Sequence, residues 1–203
     1  MLEAAFDLDS DDGMGDVTTR LVEQSPFAER MLYLLKHSDL ATTKIGIGES
    51  TSNCHGTTLY VIDEEQRILD FYNGRRGFIV GKFNYGNSVN IPLVEMNMPG
   101  YVGLINIAHF LKERGEEVDK KDAEGALVAF FFKNDGIRLA IHYGVYLGNY
   151  NGVDYMFDKK SCDGQFRVMA ISKYTKKIVF DEIKRCHMPF HETEEQPRYF
   201  KFR

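Results

Sequence analysis

The second half of the chain is a series of strand-like segments separated by tight-turn signals. Residues 126–133 and 137–147 are rich in aromatic and β-branched residues, and an Asn-Asp-Gly turn at 134–136 separates them. A second turn signal at 149–152 precedes another strand-like segment at 153–157. Because hairpin turns join neighbouring antiparallel strands, this pattern predicts an antiparallel sheet.

Segments with helical periodicity precede these strands. Apolar residues recur at helical spacing after Ser25-Pro26, and again across residues 101–114, where Gly115 follows the last turn. Helices followed by antiparallel strands predict an α+β fold in which the N-terminal helices pack on the sheet.

Cys54 lies where a third helix is predicted to begin, with Ser52 or Asn53 as its N-cap. The positive end of the helix dipole and the unpaired backbone N–H groups stabilise a thiolate at such a position. They lower the pKa of the thiol and make it a usable nucleophile. A lone cysteine is more often a small buried hydrophobic residue, so this assignment depends on a base elsewhere in the chain.

His142 is the candidate for that base. It lies on the predicted strand at 137–147, and Gly144 and Gly148 share its face, which leaves room around the imidazole for another side chain. A cysteine at a helix N-terminus and a histidine on a strand, distant in sequence and adjacent in the fold, form the thiol-imidazole pair of a cysteine hydrolase. A strand histidine taken alone more often has a structural role.

Three segments together resemble the NlpC family of papain-like cysteine peptidases. They are Asn-Cys-His-Gly-Thr at 53–57, Gly-Ala-Leu-Val at 125–128 and His-Tyr-Gly-Val-Tyr-Leu-Gly at 142–148, and they occur in the family's order. His55 stands where the family has serine, and Ala126 where it has aspartate, which indicates a divergent member. The resemblance implies a papain-like core with the nucleophile at a helix N-terminus. It also implies cleavage of an amide bond in a cell-wall (peptidoglycan) peptide.

The resemblance places a third catalytic residue on the strand after the histidine strand. Its match is Asp158, whose carboxylate would accept a hydrogen bond from His142 and stabilise the imidazolium. Asp154 on the same segment is the rival, and Asp158 has the alternative of pairing with Lys159 or Lys160. The predicted catalytic set is therefore Cys54, His142 and Asp158.

The predicted substrate contacts are residues beside this set, namely Asn53, His55 and Tyr143. Arg75 and Arg76 lie in a segment with loop signals, where a guanidinium group could bind a substrate carboxylate bidentately. A solvated loop explains these two arginines equally well.

Two other functions are compatible with the same residues. One is an amidase or acyltransferase that acts on a small-molecule or lipid acyl substrate. Enzymes resembling lecithin retinol acyltransferase place the histidine before the cysteine, which is the reverse of the order here. The other is a non-catalytic binding module on the same fold, which a long distance between Cys54 and His142 would favour.

Composition limits the domain count and the partners. A length of 203 residues and 43% hydrophobic content fit one papain-like catalytic domain over residues 21–203, after a flexible acidic lead-in over residues 1–20. A net charge of −5 without a basic stripe predicts no nucleic-acid partner, and no apolar run is long enough for a membrane span. Because no secretory signal is visible, the expected location is the cytoplasm unless another route exports the chain.

No metal or cofactor is predicted. Cys186, His187 and His191 have a zinc-like spacing, but no Cys-x-x-Cys pair accompanies them and Cys162 is isolated. The acidic lead-in lacks the glycine and the glutamate that a calcium loop requires. The expected partner is a peptide or small amide substrate.

Overall fold

The computed structural model describes residues 14–43, 51–64, 67, 104–134, 137–160, 164–174, 192–193 and 196–203. The helices whose bounds it defines are α1 (Met14–Gln24), α2 (Ala28–Lys36), α3 (Cys54–Val61) and α4 (Leu104–Arg114). The strands are β1 (Gly115–Val118), β2 (Leu127–Asn134), β3 (Ile137–Tyr150), β4 (Val153–Lys159), β5 (Phe166–Ala170), β6 (Glu192–Thr193) and β7 (Arg198–Phe202).

The described strands form one sheet in which every pair is antiparallel. The strand order is β1-β7-β2-β3-β4-β5, and β6 pairs with β2. The predicted α+β class is confirmed at this level, since the helices come first and the sheet is antiparallel.

A tight hairpin joins the end of β3 to the start of β4. Its two central residues, Asn151 and Gly152, have φ angles of 50° and 82°, which is the left-handed conformation that a type I′ turn requires. The Asn149 side-chain oxygen accepts a hydrogen bond from the Gly152 N–H at 3.0 Å. The second predicted turn is therefore confirmed, and a register shift between Tyr146 and Gly148 then pairs Gly144 with Asp158.

The core lies on both faces of the sheet. On one face, alternate residues of β2, β3 and β4 pack against apolar residues of all four helices; Leu127, Val145 and Phe157 are examples. The intervening residues, such as Val128 and Met156, form a smaller cluster on the other face. This alternation follows from the two-residue period of a strand, and it places the described helices on the face that Val145 and Phe157 occupy.

One segment differs from the sequence expectations. The lead-in was predicted to extend to residue 20, but α1 begins at Met14, and its residues Thr18 and Val22 are buried. Gly115 directly follows α4, as predicted, and it is also the first residue of β1. The C-terminal tail, whose placement the sequence left open, forms β7 between β1 and β2.

Candidate active site

Helix α3 begins at Cys54, and Asn53 is its N-cap. The Asn53 Oδ1 atom accepts a hydrogen bond from the Gly56 N–H at 2.9 Å, so Asn53 and not Ser52 fills the capping position. Every residue of α3 is buried. The positive end of the helix dipole therefore acts on the Cys54 thiol with little screening by solvent.

Strand β3 carries His142 next to an irregularity in its pairing with β2. His142 pairs with Phe130, whereas the next pair along joins Ala140 to Phe131, so Ile141 is an extra residue in β3. Bulges of this kind bend a strand and redirect neighbouring side chains. The imidazole of His142 is fully buried and stacks on the Tyr174 ring, with 4.5 Å between the ring centroids.

The structural role of Gly144 differs from the one that we predicted from the sequence. We expected it to leave room around the His142 ring, but the space above Gly144 is filled by strand β4. A Cβ atom at this position would lie 2.8 Å from the Phe157 carbonyl oxygen and 3.2 Å from the Met156 sulfur. The absence of a side chain thus permits β4, and with it Asp158, to approach β3 closely.

Asp158 connects His142 to an arginine on the next strand. Its Oδ2 atom lies 2.7 Å from His142 Nε2, and both side chains are fully buried. Arg167, opposite Asp158 in the register of β5, donates from Nε to Oδ1 at 2.7 Å and from Nη2 to Oδ2 at 3.0 Å. Burial would raise the pKa of Asp158, but hydrogen bonds and positive charge from His142 and Arg167 outweigh it and lower that pKa.

Asp154 and Lys159, the residues named in the two alternatives for Asp158, make other contacts in the structure. Asp154 lies at the hairpin end of β4, where its carboxylate accepts hydrogen bonds from Lys120, from Tyr146 at 2.9 Å and from Asn149 at 2.8 Å. Lys159 does not pair with Asp158, because successive strand residues point to opposite faces. Of the two carboxylates considered, Asp158 is the one that contacts His142.

Lys159 instead reaches the loop before Cys54. Its side chain is fully buried, and Nζ donates a hydrogen bond to the Ser52 carbonyl oxygen at 2.8 Å. Ser52 is two residues before the nucleophile, so this bond ties the start of α3 to the end of β4. The sequence analysis considered Lys159 only as a partner for Asp158.

The thiol of Cys54 has two histidines beside it. Its burial alone would raise the pKa, but positive charge on His55 and on His142 lowers the pKa of Cys54 to about 6. This shift favours the thiolate form of Cys54 at neutral pH. His142 uses Nε2 for Asp158, so a proton exchanged with the thiol would pass through Nδ1.

The predicted substrate contacts beside this set are also buried. The His55 ring packs edge-on against the Tyr143 ring, with centroids 4.9 Å apart, and its Nδ1 atom lies 3.5 Å from the Asn53 side-chain nitrogen. The structure thus brings Cys54, His142, Asp158, His55 and Tyr143 together. Arg75 and Arg76 lie outside the described residues.

Sequence reasoning missed three residues of this site: Arg167, Lys159 and Tyr174. Arg167 faces Asp158 only through the register of β4 and β5, which the sequence does not give. Tyr174 follows β5 in a short 3-10 turn, and its stacking on His142 has no local sequence signature.

The described residues contain no group of three or more His, Cys, Asp and Glu side chains arranged to hold a metal ion. Cys162, Cys186, His187 and His191 fall outside that part of the chain. None of the helices in the described ranges combines the length and the apolar character needed to cross a membrane.

No protein-family model, curated protein or solved structure matches the chain. The resemblance to the NlpC family therefore rests on the three sequence motifs alone.

Proposed function

We propose that this protein is a cysteine hydrolase that cleaves an amide bond with Cys54 as nucleophile, His142 as acid and base, and Asp158 as the residue that orients His142. One observation carries the proposal: His142, whose charge lowers the pKa of Cys54, contacts the buried carboxylate of Asp158, and Arg167 holds that carboxylate in turn. Perturbed titratable groups coupled in this way are typical of active sites.

The reaction begins with attack of the Cys54 thiolate on the substrate carbonyl. A bond forms between Sγ and the carbonyl carbon, and an electron pair of the C=O group moves to oxygen. The Cys54 backbone N–H stabilises that oxyanion. When the electron pair returns, the bond to the leaving nitrogen breaks, and protonated His142 gives the nitrogen its proton.

Hydrolysis of the thioester restores the enzyme. Neutral His142 accepts a proton from water as the water oxygen attacks the carbonyl carbon. The bond between carbon and Sγ then breaks, which releases the carboxylic acid and the Cys54 thiolate. Asp158 remains ionised throughout, because two hydrogen bonds from Arg167 and one from His142 stabilise its charge.

The proposed substrate is a peptide amide of the bacterial cell wall, such as the bond between D-glutamate and a diamino acid. This part of the proposal comes from the resemblance to the NlpC family. Incubation of the protein with purified muropeptides, followed by mass spectrometry of the fragments, tests it. Small-molecule amides and lipid acyl groups are the substrates to try next if the muropeptides remain intact.

The geometry supports an enzyme over a binding module. A module without catalysis has no need for a thiolate, an imidazole and a carboxylate in one buried series, since each buried charge costs desolvation energy. The effect of His142 on the pKa of Cys54 also places the imidazole near the thiol, which favours an enzyme over a module.

The experiment compares the rates at which iodoacetamide alkylates the three cysteines, read by mass spectrometry. At pH 6.5–7, Cys54 should react far faster than Cys162 and Cys186, and His142→Gln should abolish that advantage. His37→Gln is the matched control, because His37 is the C-cap of α2 and its Nδ1 contacts the Tyr33 carbonyl oxygen. Equal rates for all three cysteines in the wild-type protein would exclude the proposed mechanism.

A further inference from the structure

Tyr143 follows His142 on β3 and has a buried hydroxyl group that lacks a hydrogen-bond partner in the described part of the protein. The side chain is fully buried. A buried polar group without a partner is unfavourable, and most buried hydroxyls in proteins are satisfied. A phenylalanine would fill the same space without this cost, so packing does not explain the hydroxyl.

The surroundings of Tyr143 place its ring against the residue that follows the reacting cysteine. Its ring is held edge-on by His55, which follows Cys54 in α3. Burial, followed by the negative charge of Cys54, raises the pKa of Tyr143 well above its ordinary value. The phenol is therefore protonated at neutral pH and available as a hydrogen-bond donor.

Other buried hydroxyls are less suited to the same role. Ser52 Oγ and Thr57 Oγ1 are also buried and lack hydrogen-bond partners within the described ranges. Ser52 precedes the helix, and Thr57 lies one turn after Cys54. Tyr143 is the one among them whose ring contacts His55, and it belongs to the strand that carries the base.

We propose that Tyr143 is a catalytic residue whose hydroxyl donates a hydrogen bond to the substrate carbonyl oxygen as that oxygen becomes an oxyanion. This inference rests on the cysteine-hydrolase function proposed above. As the Sγ–carbon bond forms, the electron pair of the C=O group moves to oxygen, and the Tyr143 O–H and the Cys54 N–H both donate to it. The phenol keeps its proton, and the bond lengthens again when the leaving nitrogen takes a proton from His142.

Two reagents separate this role from a general effect on the thiol. Acylation of Cys54 by p-nitrophenyl acetate passes through an oxyanion, whereas alkylation by iodoacetamide displaces iodide at a saturated carbon and forms none. Tyr143→Phe removes only the hydroxyl. It should slow the p-nitrophenolate burst roughly 100-fold, the effect of losing one oxyanion donor, and leave the alkylation rate unchanged.

Stability gives a second, independent readout. Because the Tyr143 hydroxyl has no partner to lose, Tyr143→Phe should keep or raise the melting temperature. Tyr146→Phe is the matched control on the same strand. Its hydroxyl donates to Asp154 at 2.9 Å, so this variant should melt earlier and keep the wild-type burst rate.

Each other outcome overturns the inference. If the burst and the alkylation slow together in Tyr143→Phe, the residue acts by holding Cys54 in place. If neither slows, the hydroxyl does not contact the oxyanion. If wild-type protein alkylates rapidly at Cys54 but gives no burst, the proposed hydrolase function fails as well, and the two failures are thus distinguished by the wild-type reaction.

Discussion

Removal of the Arg167 guanidinium group tests whether Asp158 is held as a buried anion. The Asp158 side chain is fully buried and the Arg167 side chain is 12% exposed, so little solvent can replace the lost contact. Arg167→Met keeps much of the apolar stem but removes the positive charge and both hydrogen bonds to the carboxylate. Removing one partner of a buried ion pair costs about 3–5 kcal/mol. Because His142 remains as a partner, we expect a loss of about 3 kcal/mol at pH 7.

The loss should depend on pH in a defined direction. In the wild-type protein the lowered pKa of Asp158 contributes stability that is present above its unfolded pKa of about 3.9 and disappears as the pH falls through the folded pKa. Without Arg167, the folded pKa of Asp158 rises and this contribution shrinks. The difference in unfolding free energy between the two proteins should therefore be largest near neutral pH and decrease toward acid pH.

The assay is urea unfolding followed by circular dichroism, since the sequence has no tryptophan. Asp158→Asn in the Arg167→Met background should recover part of the lost stability, because the buried charge is then absent. Arg203→Met is the control, since the ion pair between Arg203 and Glu116 is exposed and its loss should be too small to measure. A loss below about 1 kcal/mol at pH 7, or a loss that does not change with pH, would refute the buried-anion reasoning.

Three further predictions concern the same region. The alkylation rate of Cys54 should rise with pH through a midpoint of about 6 and level off above it, whereas a midpoint of about 8.5 would identify an ordinary thiol. Lys159→Met removes the bond to the Ser52 carbonyl and should lower the unfolding free energy by about 1.5–3 kcal/mol and slow Cys54 alkylation; a more stable variant would contradict this. Gly144→Ala places a Cβ atom 2.8 Å from the Phe157 carbonyl oxygen and should cost about 1–3 kcal/mol in urea unfolding, and a neutral effect would show that β4 can move away freely.

Features with a local chemical cause were predictable from the sequence. The turn after β3 needs left-handed backbone at Asn151 and Gly152, and residues tolerant of that conformation mark it. The cap of α3 follows from an asparagine before the first helical residue. The choice of Asp158 as the partner of His142 came from the NlpC resemblance, and the structure shows the contact between their side chains.

Features that depend on distant pairing were not predictable. Strand β1 is only four residues long, and its Gly-Glu-Glu-Val sequence has no apolar alternation; it exists because β7 pairs with it from the far end of the chain. Likewise, Arg167 faces Asp158 only after the register between β4 and β5 is fixed. A single sequence gives weak information about such a register, since a shift by one residue reverses every side chain.

The end of β4 contacts both halves of the candidate site, namely the base and the loop before the nucleophile. Asp158 points to one face of the sheet and holds the imidazole of His142, while Lys159 points to the other and holds the loop that precedes Cys54. A shift of this strand would therefore move the base and the nucleophile at the same time. Arg167 on β5 fixes the strand from one side, and the missing side chain of Gly144 on β3 lets it approach from the other. The packing of three neighbouring strands thus positions both the imidazole and the loop before the nucleophile, which explains why a buried lysine and a partly buried arginine accompany one cysteine and one histidine.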